Sequence, residues 1–359
     1  MKQPRLRLFL PLLGVAALAA QGPAPTVQNG RVDTRPATSI DAAIRAAGVS
    51  SEPAWIAWRE PMVDGDRRAC ATWSDGDATV RGIVLEPRRF TDGRPQIAPS
   101  TGPAQLEAGT NVIVLLRVID GRVERLRTIS DDCPIDANGR TVTWLSGVNA
   151  ADSLRYLGTL TQPAALTAEA RRQAQSAITA IALHRDAGAD ALLDRLMASG
   201  ADTDLRDSAT RALAAYRGHH GFEQVSRAMA AERNASARQR VVSALRQSSD
   251  PEAAQTLLTI AQTDTSERVR AEAVLGYAVL AGAPGVPRVI DLASKDASPD
   301  VQRRAVSGIA RLPSDVSVPA LLSIARSSAT APMRKEAVAA LTRADDPRAT
   351  KYLEEIVAK

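Results

Sequence analysis

One segment recurs five times at a constant step of 32 residues in the second half of this chain. The copies are Leu205-Arg206-x-x-Ala209-x-x-Ala212-Leu213, Ala237-Arg238-x-x-Val241-x-x-Ala244-Leu245, Val269-Arg270-x-x-Ala273-x-x-Gly276, Val301-Gln302-x-x-Ala305-x-x-Gly308-Ile309 and Met333-Arg334-x-x-Ala337-x-x-Ala340-Leu341. A sixth, Ala170-Arg171-x-x-Ala174-x-x-Ala177-Ile178, lies 35 residues before the first of these. Between them, apolar pairs keep the same step: Leu193/Leu196, Val225/Ala228, Leu257/Ile260, Val289/Leu292, Leu321/Ile324 and Leu353/Ile356. A fixed period of this size argues against one globular core. Each unit buries its apolar face only against its neighbours, so residues 151–359 are expected to form a stacked array.

Two helix types alternate within the period. Helix A carries the large aliphatic pairs. Helix B carries the quoted motif, with apolar positions at i, i+4, i+7 and i+8 on one face. The Ala and Gly at its centre allow close backbone approach. Asp152 is expected to cap the first helix. Asp250-Pro251 and Asp346-Pro347 should each open a helix A, with an N-cap and a proline at the first helical position. The final helix, Arg348 to Val357, sets Lys351, Glu354 and Glu355 beside its apolar stripe and suits a terminal cap. The run Ala273 to Pro287 contains Gly282, Pro284, Gly285 and Pro287, and reads as a repeat helix plus a turn rather than a membrane span.

The other half of the chain is built differently. Residues 1–19 read as a signal peptide. Lys2, Arg5 and Arg7 precede a 13-residue apolar run from Leu8 to Ala20, with Ala17-Leu18-Ala19 as a small-x-small cleavage site. The run is short for a bilayer span. Removal of this segment leaves 42 basic against 40 acidic residues, a net charge of +2. That balance argues against nucleic acid as the partner. Export implies a periplasmic or extracellular location. In that setting the two cysteines, Cys70 and Cys133, are expected to form a disulfide, the alternative being two buried thiols.

Residues 20–38 are polar and read as a flexible leader. Residues 39–150 read as a small disulfide-linked, mainly β domain. Ser39 should cap a helix through Ile40, Ala43, Ile44 and Ala47, ended by Gly48. Short strands follow around Trp55–Trp58, Ala69–Trp73 and Thr79–Leu85, and Thr91 to Thr110 reads as a loop. Val112–Ile119 and Arg122–Ile129 flank Asp120-Gly121, the signature of a two-residue hairpin. Thr141 to Leu145 closes the domain. All four tryptophans, Trp55, Trp58, Trp73 and Trp144, fall here and none in the repeats. Strand alternation sends Trp55 and Trp58 to opposite faces, so at least one is expected in the core.

Two-helix units with a proline entering helix A, an Asp-rich inner loop and Val-Arg-x-x-Ala-x-x-Ala-Leu in helix B resemble HEAT repeats. Val269-Arg270-x-x-Ala273 and Asp296-x-x-x-Asp300-Val301 carry the resemblance best. The period is shorter than the usual HEAT length. It is similar to the compact bacterial HEAT-like repeats also found in bilin lyases. The resemblance covers residues 152–359 and implies an α-solenoid of about six helix pairs that acts as a protein-binding scaffold. Taken whole, the chain resembles secreted bacterial envelope proteins.

The most regular polar feature is the register of Arg171, Arg206, Arg238, Arg270 and Arg334, broken by Gln302. A cation in the first turn of a helix opposes the macrodipole, so each arginine requires a partner. An acid of the preceding inner loop, such as Asp204, Asp264 or Asp300, would lock adjacent repeats. Arg172, Arg240, Arg268, Arg303, Arg304 and Lys335 lie nearby and could form a basic edge for an acidic protein. His219-His220 reads as a surface turn, and Asp131-Asp132 as solvated turn residues. The chain has no Gly-x-Ser-x-Gly elbow, His-Glu-x-x-His, phosphate loop or dinucleotide glycine motif. The expectation is therefore a non-catalytic scaffold with no cofactor. The alternatives are a lyase or isomerase acting on a bound small molecule, and a cell-wall or carbohydrate-binding role for the tryptophan-containing domain.

Overall fold

The structure is a computed structural model. It describes residues 24–358 apart from 38, 49–51, 65–69, 71, 76–77, 87, 90–94, 97–108, 164, 166, 199–201 and 328–329. The expected signal peptide, residues 1–19, and most of the loop from Thr91 to Thr110 lie outside the described residues.

The N-terminal module comprises β1 (Val27–Gln28), β2 (Arg31–Pro36), α1 (Ile40–Ala47), β3 (Ala54–Pro61), the pair β4 (Thr72–Asp75) and β5 (Ala78–Arg81), β6 (Ile83–Val84), β7 (Arg88–Arg89), β8 (Pro95–Gln96), the pair β9 (Asn111–Ile119) and β10 (Arg122–Ser130), β11 (Ile135–Asp136) and β12 (Thr141–Ser146). Its main sheet has five strands in the order β10-β9-β3-β12-β2. β10, β9 and β3 are antiparallel, whereas β12 runs parallel to both β3 and β2. The segment 31–36, expected in a flexible leader, is thus an edge strand. Polar composition hid it, because an edge strand needs few apolar side chains once its backbone pairs with β12.

Asp120 and Gly121 both take positive φ, at 50° and 71°, as a two-residue hairpin turn requires. Gly48, which ends α1, lies against that turn: a Cβ added there would fall 2.3 Å from the Gly121 Cα. Ser39 caps α1, its hydroxyl accepting the Ala42 N–H at 3.0 Å.

The sheet is buried on both faces. Trp55, Ala57, Ile113, Leu115, Val142 and Trp144 pack under the small parallel sheet β1-β11-β6. Ile56, Trp58, Val114, Leu116, Val118 and Leu145 pack instead against α1 and the first helices of the array. Double burial explains why β3 and β9 read as near-continuous apolar runs. Cys70 and Cys133 form a disulfide beside the first of these faces, with Cα atoms 5.5 Å apart.

The array runs α2 (Ala150–Leu160), α3 (Ala168–Leu183), α4 (Gly188–Ala198), α5 (Thr203–Tyr216), α6 (Gly218–Ala231), α7 (Ala235–Leu245), α8 (Ala253–Thr263), α9 (Glu267–Lys295), α10 (Pro299–Ile309), α11 (Ser314–Arg326), α12 (Ala331–Leu341) and α13 (Pro347–Val357). α9 is two helices meeting at Gly282, whose φ of 60° and ψ of −146° no helix contains. Pro284 and Pro287 follow in the first turns of the second segment, where a missing N–H costs least. With α9 divided, the helices make six A–B pairs followed by α13. The apolar residues of α9, among them Val269, Ala273, Val274, Leu275 and Val289, lie inside the array, so its apolarity is that of a core helix.

Caps differ from expectation at two places. Asn149, not Asp152, caps α2, and its side chain accepts the Asp152 N–H. Asp250 sits before a turn, so α8 begins at Ala253 rather than at Pro251. Asp346 does cap α13, with Pro347 as the first helical residue.

Small side chains set the curvature. A Cβ on Gly308 would lie 2.7 Å from that of Ala278, so α9 and α10 touch through backbone and methyl groups. The B helices pack closely upon one another, whereas successive A helices, with their larger Leu, Ile and Val side chains, stand further apart. The B-helix surface is consequently the concave one.

Candidate functional site

The register arginines bridge successive inner loops. Arg171 pairs with Asp202 at 2.9 Å and with Asp204 at 3.4 Å. Arg238 meets Asp264 through two nitrogens, each at 2.9 Å, and Arg270 meets Asp296 at 2.8 and 3.2 Å. The acid lies in the following loop, not the preceding one as the sequence suggests. Each loop aspartate is first folded over its own helix entrance. Asp202 accepts from the Asp204 N–H, Asp264 from the Ser266 N–H and Asp296 from the Ser298 N–H, at 2.8–2.9 Å. Its remaining oxygen therefore faces the repeat before.

The same guanidinium also reaches backwards, to carbonyls. Arg270 donates to the Asp264 carbonyl and Arg238 to the Arg233 carbonyl, at 2.9 and 2.8 Å. Gln302 makes the bridge without charge: its Nε2 donates to the Asp296 carbonyl at 2.8 Å, and its Oε1 accepts from the Thr330 hydroxyl at 2.7 Å. Arg206 has no ion pair among the described residues, and the matching position in the next loop is Glu232, which accepts the Asn234 N–H at 2.7 Å. Arg334 holds the same register position in α12. Asp202 is held below its ordinary range chiefly by Arg171. Burial works against Asp264 and Asp296, but Arg238 and Arg270 with the capping N–H groups hold both down. These charges serve the stacking of repeats.

The second set of cations lies on the exposed face of the B helices, and it is not one continuous edge. Arg172, Arg240, Arg268, Arg303, Arg304 and Lys335 are all exposed. Arg240 pairs with Asp207 at 2.8 Å and Arg303 with Asp300 at 3.2 Å. Along one repeat register Arg240 and Arg304 alternate with Glu272 and Glu336, so charge changes sign from helix to helix. Arg303, Arg304 and Lys335 are exposed cations of the adjacent helices α10 and α12. At the opposite end Arg172 lines a groove of about 410 Å³ between β10 and α3, with Glu124, Arg125, Glu169, Gln173 and Ser176. A further groove of about 290 Å³ runs over α3, α5 and the turn after α7, lined by residues that include Gln175, Thr179, Arg211 and Gln247.

A buried polar cluster at the seam between module and array escapes sequence reasoning. Ser153 on α2 accepts from Trp58 Nε1 at 2.9 Å and lies 2.9 Å from His184 Nε2. Ser153 and His184 are fully buried and Glu60 is 2 % exposed. Glu60 Oε1 and His184 Nδ1 have no hydrogen-bond partner among the described residues. Burial pushes the Glu60 carboxyl up to about 8, opposed by the Ser153 hydroxyl and reinforced by Asp186. Burial pushes His184 down to about 4, against Asp186 and with Arg217. Both groups are thus neutral near pH 7.

The seam is also stitched by backbone. Val63 N–H donates to the Leu183 carbonyl and Arg185 N–H to the Pro61 carbonyl, both at 2.9 Å, which continues β3 onto the end of α3. Arg217 fastens the same end, donating to Asp190 Oδ1 and to the His184 carbonyl at 2.5 Å each. The sequence signal was a polar position, Glu60, near the end of an apolar strand. Nothing local tells such a residue from a solvated strand end.

The remaining candidates resolve as follows. Trp55 and Trp58 face opposite sides of β3, and both are fully buried, while Trp144 is 2 % exposed. None of the three offers a sugar-binding platform, and the side chain of Trp73 lies outside the described residues. His219 and His220 are helical, in the first turn of α6, rather than in a loop. Gly221 allows this, because a Cβ there would strike the Leu213 carbonyl oxygen at 1.9 Å. His220 pairs with Asp194, and His219 Nδ1 lies 2.8 Å from Asp250 Oδ2. Asp250 raises the His219 pKa from its ordinary value. Asp131 binds Asn111, accepting from its Nδ2 at 2.7 Å.

Residues 189–278 and 286–359 match the family described as HEAT repeats. Three solved structures are similar in part. The Escherichia coli protein YibA is 20% identical, with a TM-score of 0.32 over 44% of this chain and 60% of that one. The CpcE–CpcF complex of phycocyanin lyase from Nostoc sp. is 21% identical, with a TM-score of 0.34 over 43% of this chain and 99% of that one. The condensin Cnd3–Cnd2 subcomplex of S. pombe is 16% identical, with a TM-score of 0.33 over 53% of this chain and 28% of that one. This chain thus spans 60% of the length of YibA. No curated protein matches it.

Proposed function

We propose that this HEAT-like repeat protein is an exported, non-catalytic scaffold that binds a protein partner along its concave B-helix surface. The observation that carries the reading is the division of labour among its cations. Arg171, Arg238 and Arg270 are consumed between repeats. Arg268, two positions before Arg270 on α9, Arg304 on α10 and Lys335 on α12 are exposed and carry no ion pair among the described residues. A concave face lined by polar side chains and held rigid by a ladder is suited to an extended partner. Unspent cations on α10 and α12 favour an acidic stretch at that end, where complementary charge speeds encounter and fixes register.

The two grooves beside the B helices are lined mainly by charged and polar residues, and a smaller one of about 180 Å³ between α1 and the sheet is lined mostly by alanine with Pro36 and Leu145. Small-molecule sites are mostly apolar with a few placed polar groups. That contrast supports binding over a lyase or isomerase reaction. The apolar run with its basic start, and a module closed by a disulfide, support export.

Cross-linking mass spectrometry on the mature protein, recovered from its host's envelope, tests this reading. One abundant protein cross-linked along α3, α5, α7 and α10 is the expected result. Arg303→Glu with Arg304→Glu should then weaken its capture. Recovery in the cytoplasm with residues 1–19 intact would refute export, and recovery with no specific protein would refute the scaffold.

A further inference from the structure

On the outer side of the array, one imidazole is set among carboxylates. His219 Nδ1 is 2.8 Å from Asp250 Oδ2, and Nε2 is 3.7 Å from Glu223 Oε1. The other Glu223 oxygen is engaged by Arg227 at 3.1 Å. Glu252 completes the group, since one ligand atom each from His219, Asp250 and Glu252 lie within 4.8 Å of one another. Asp250 is buried and fixed, its Oδ1 accepting the Glu252 N–H at 2.9 Å, while His219 and Glu252 are exposed and free to adjust.

The repeat supplies a comparison inside the same chain. Ninety-six residues on, Asp346 stands for Asp250, Arg348 for Glu252 and Asp315 for His219. There the chain provides its own cation: Arg348 bonds Asp346 at 2.7 and 2.9 Å, and Asp315 adds its charge. At the earlier copy a glutamate replaces that arginine. Asp250 and Glu252 thus stand together without the guanidinium that Arg348 supplies to Asp346.

We propose that His219, Asp250 and Glu252 bind a divalent transition-metal cation of the Zn²⁺ class. The ion takes the place of the guanidinium and neutralises the two carboxylates. One imidazole nitrogen with two carboxylates, completed by water, suits zinc and its neighbours, whereas Ca²⁺ and Mg²⁺ favour oxygen alone. Ligands about 2 Å from a zinc ion sit roughly 3–4 Å from one another. Closing to that spacing needs movement only of the two exposed side chains around the fixed Asp250. The ion ties α6 to the turn that opens α8, where neighbouring A helices stand apart.

Isothermal titration of the untagged full chain with ZnCl₂, CaCl₂ and MgCl₂ is the test. One Zn²⁺ per chain, with far weaker Ca²⁺ and Mg²⁺, is expected. His219→Ala should weaken zinc by roughly tenfold or more. Glu252→Arg should abolish binding while leaving the melting temperature unchanged or higher, because it restores the arginine found beside Asp346. His220→Ala should leave the affinity as it is. Absence of zinc binding by the wild type overturns the proposal. So does binding that survives both His219→Ala and Glu252→Arg.

Discussion

The module and the array bury their surfaces by opposite means. The module closes around large residues used once each, Trp55, Trp58, Trp144 and Ile135, drawn together by strands distant in sequence. The array closes around alanine, glycine, leucine and valine at the same positions of every period, with partners always one repeat away. At the seam the difference disappears. Ile56, Trp58, Val114 and Leu116 of the sheet share one continuous core with Leu154, Leu157, Ala174 and Ile178 of the first helix pair. A terminal repeat needs something to cover its outer face. Here a sheet takes the place of a preceding repeat, so the two regions are expected to unfold as coupled units.

The strongest blow to that coupling is Trp58→Ala. It empties a buried indole site and leaves the Ser153 hydroxyl without its donor, for a loss of up to about 5 kcal/mol by urea denaturation. Hydrogen exchange should then quicken in α2 and α3 as well as in the sheet. Faster exchange in the strands alone would show two independent regions. Reduction of Cys70–Cys133 comes next. It releases a constraint spanning 63 residues and should cost about 4 kcal/mol in the chain-entropy model. Protection should fall in β6 and β11 before it falls in α8 to α13, and a uniform loss would contradict the local character of the array.

A smaller effect follows from protons at the seam. Glu60 has its folded pKa raised from 4.5 to about 8, so its stabilisation is complete below 4.5 and is lost as pH rises to 8. His184 is lowered from 6.5 to about 4, so its stabilisation is complete above 6.5 and is lost as pH falls to 4. The two oppose each other between 4.5 and 6.5 and leave a plateau there. From pH 6.5 to 8 Glu60 alone of these two acts, and its contribution to stability should drop by about 2 kcal/mol. Glu60→Gln should flatten that limb in melts across pH; an unchanged limb would assign it elsewhere. The smallest effect belongs to one rung of the ladder. Arg270→Ala should cost about 1–2 kcal/mol, given partial solvent screening, and a double-mutant cycle with Asp296→Ala should recover most of it as coupling.

Legibility followed the range of the interactions. The helix pairs, the break at Gly282 and the hairpin at Asp120-Gly121 were readable because each is set within a few residues. The strand at 31–36 was not, because its only reason to extend is pairing with β12, more than one hundred residues away. The arginine register was visible, but the direction of its pairing was not. Spacing shows that Arg238 recurs; it does not show which loop stacks beside it.

The amino-acid sequence by itself determined the period, the alternation of large and small faces and the close stacking of the B helices, since all three are local patterns repeated. Only the tertiary structure decided that the sheet caps the array, that Glu60, Ser153 and His184 share one dry seam, and that His219 meets Asp250. Those groups stand 31 residues apart or more, apart from the turn that joins Asp250 to Glu252. Their meeting depends on how two packed surfaces settle, and nothing in local sequence encodes that.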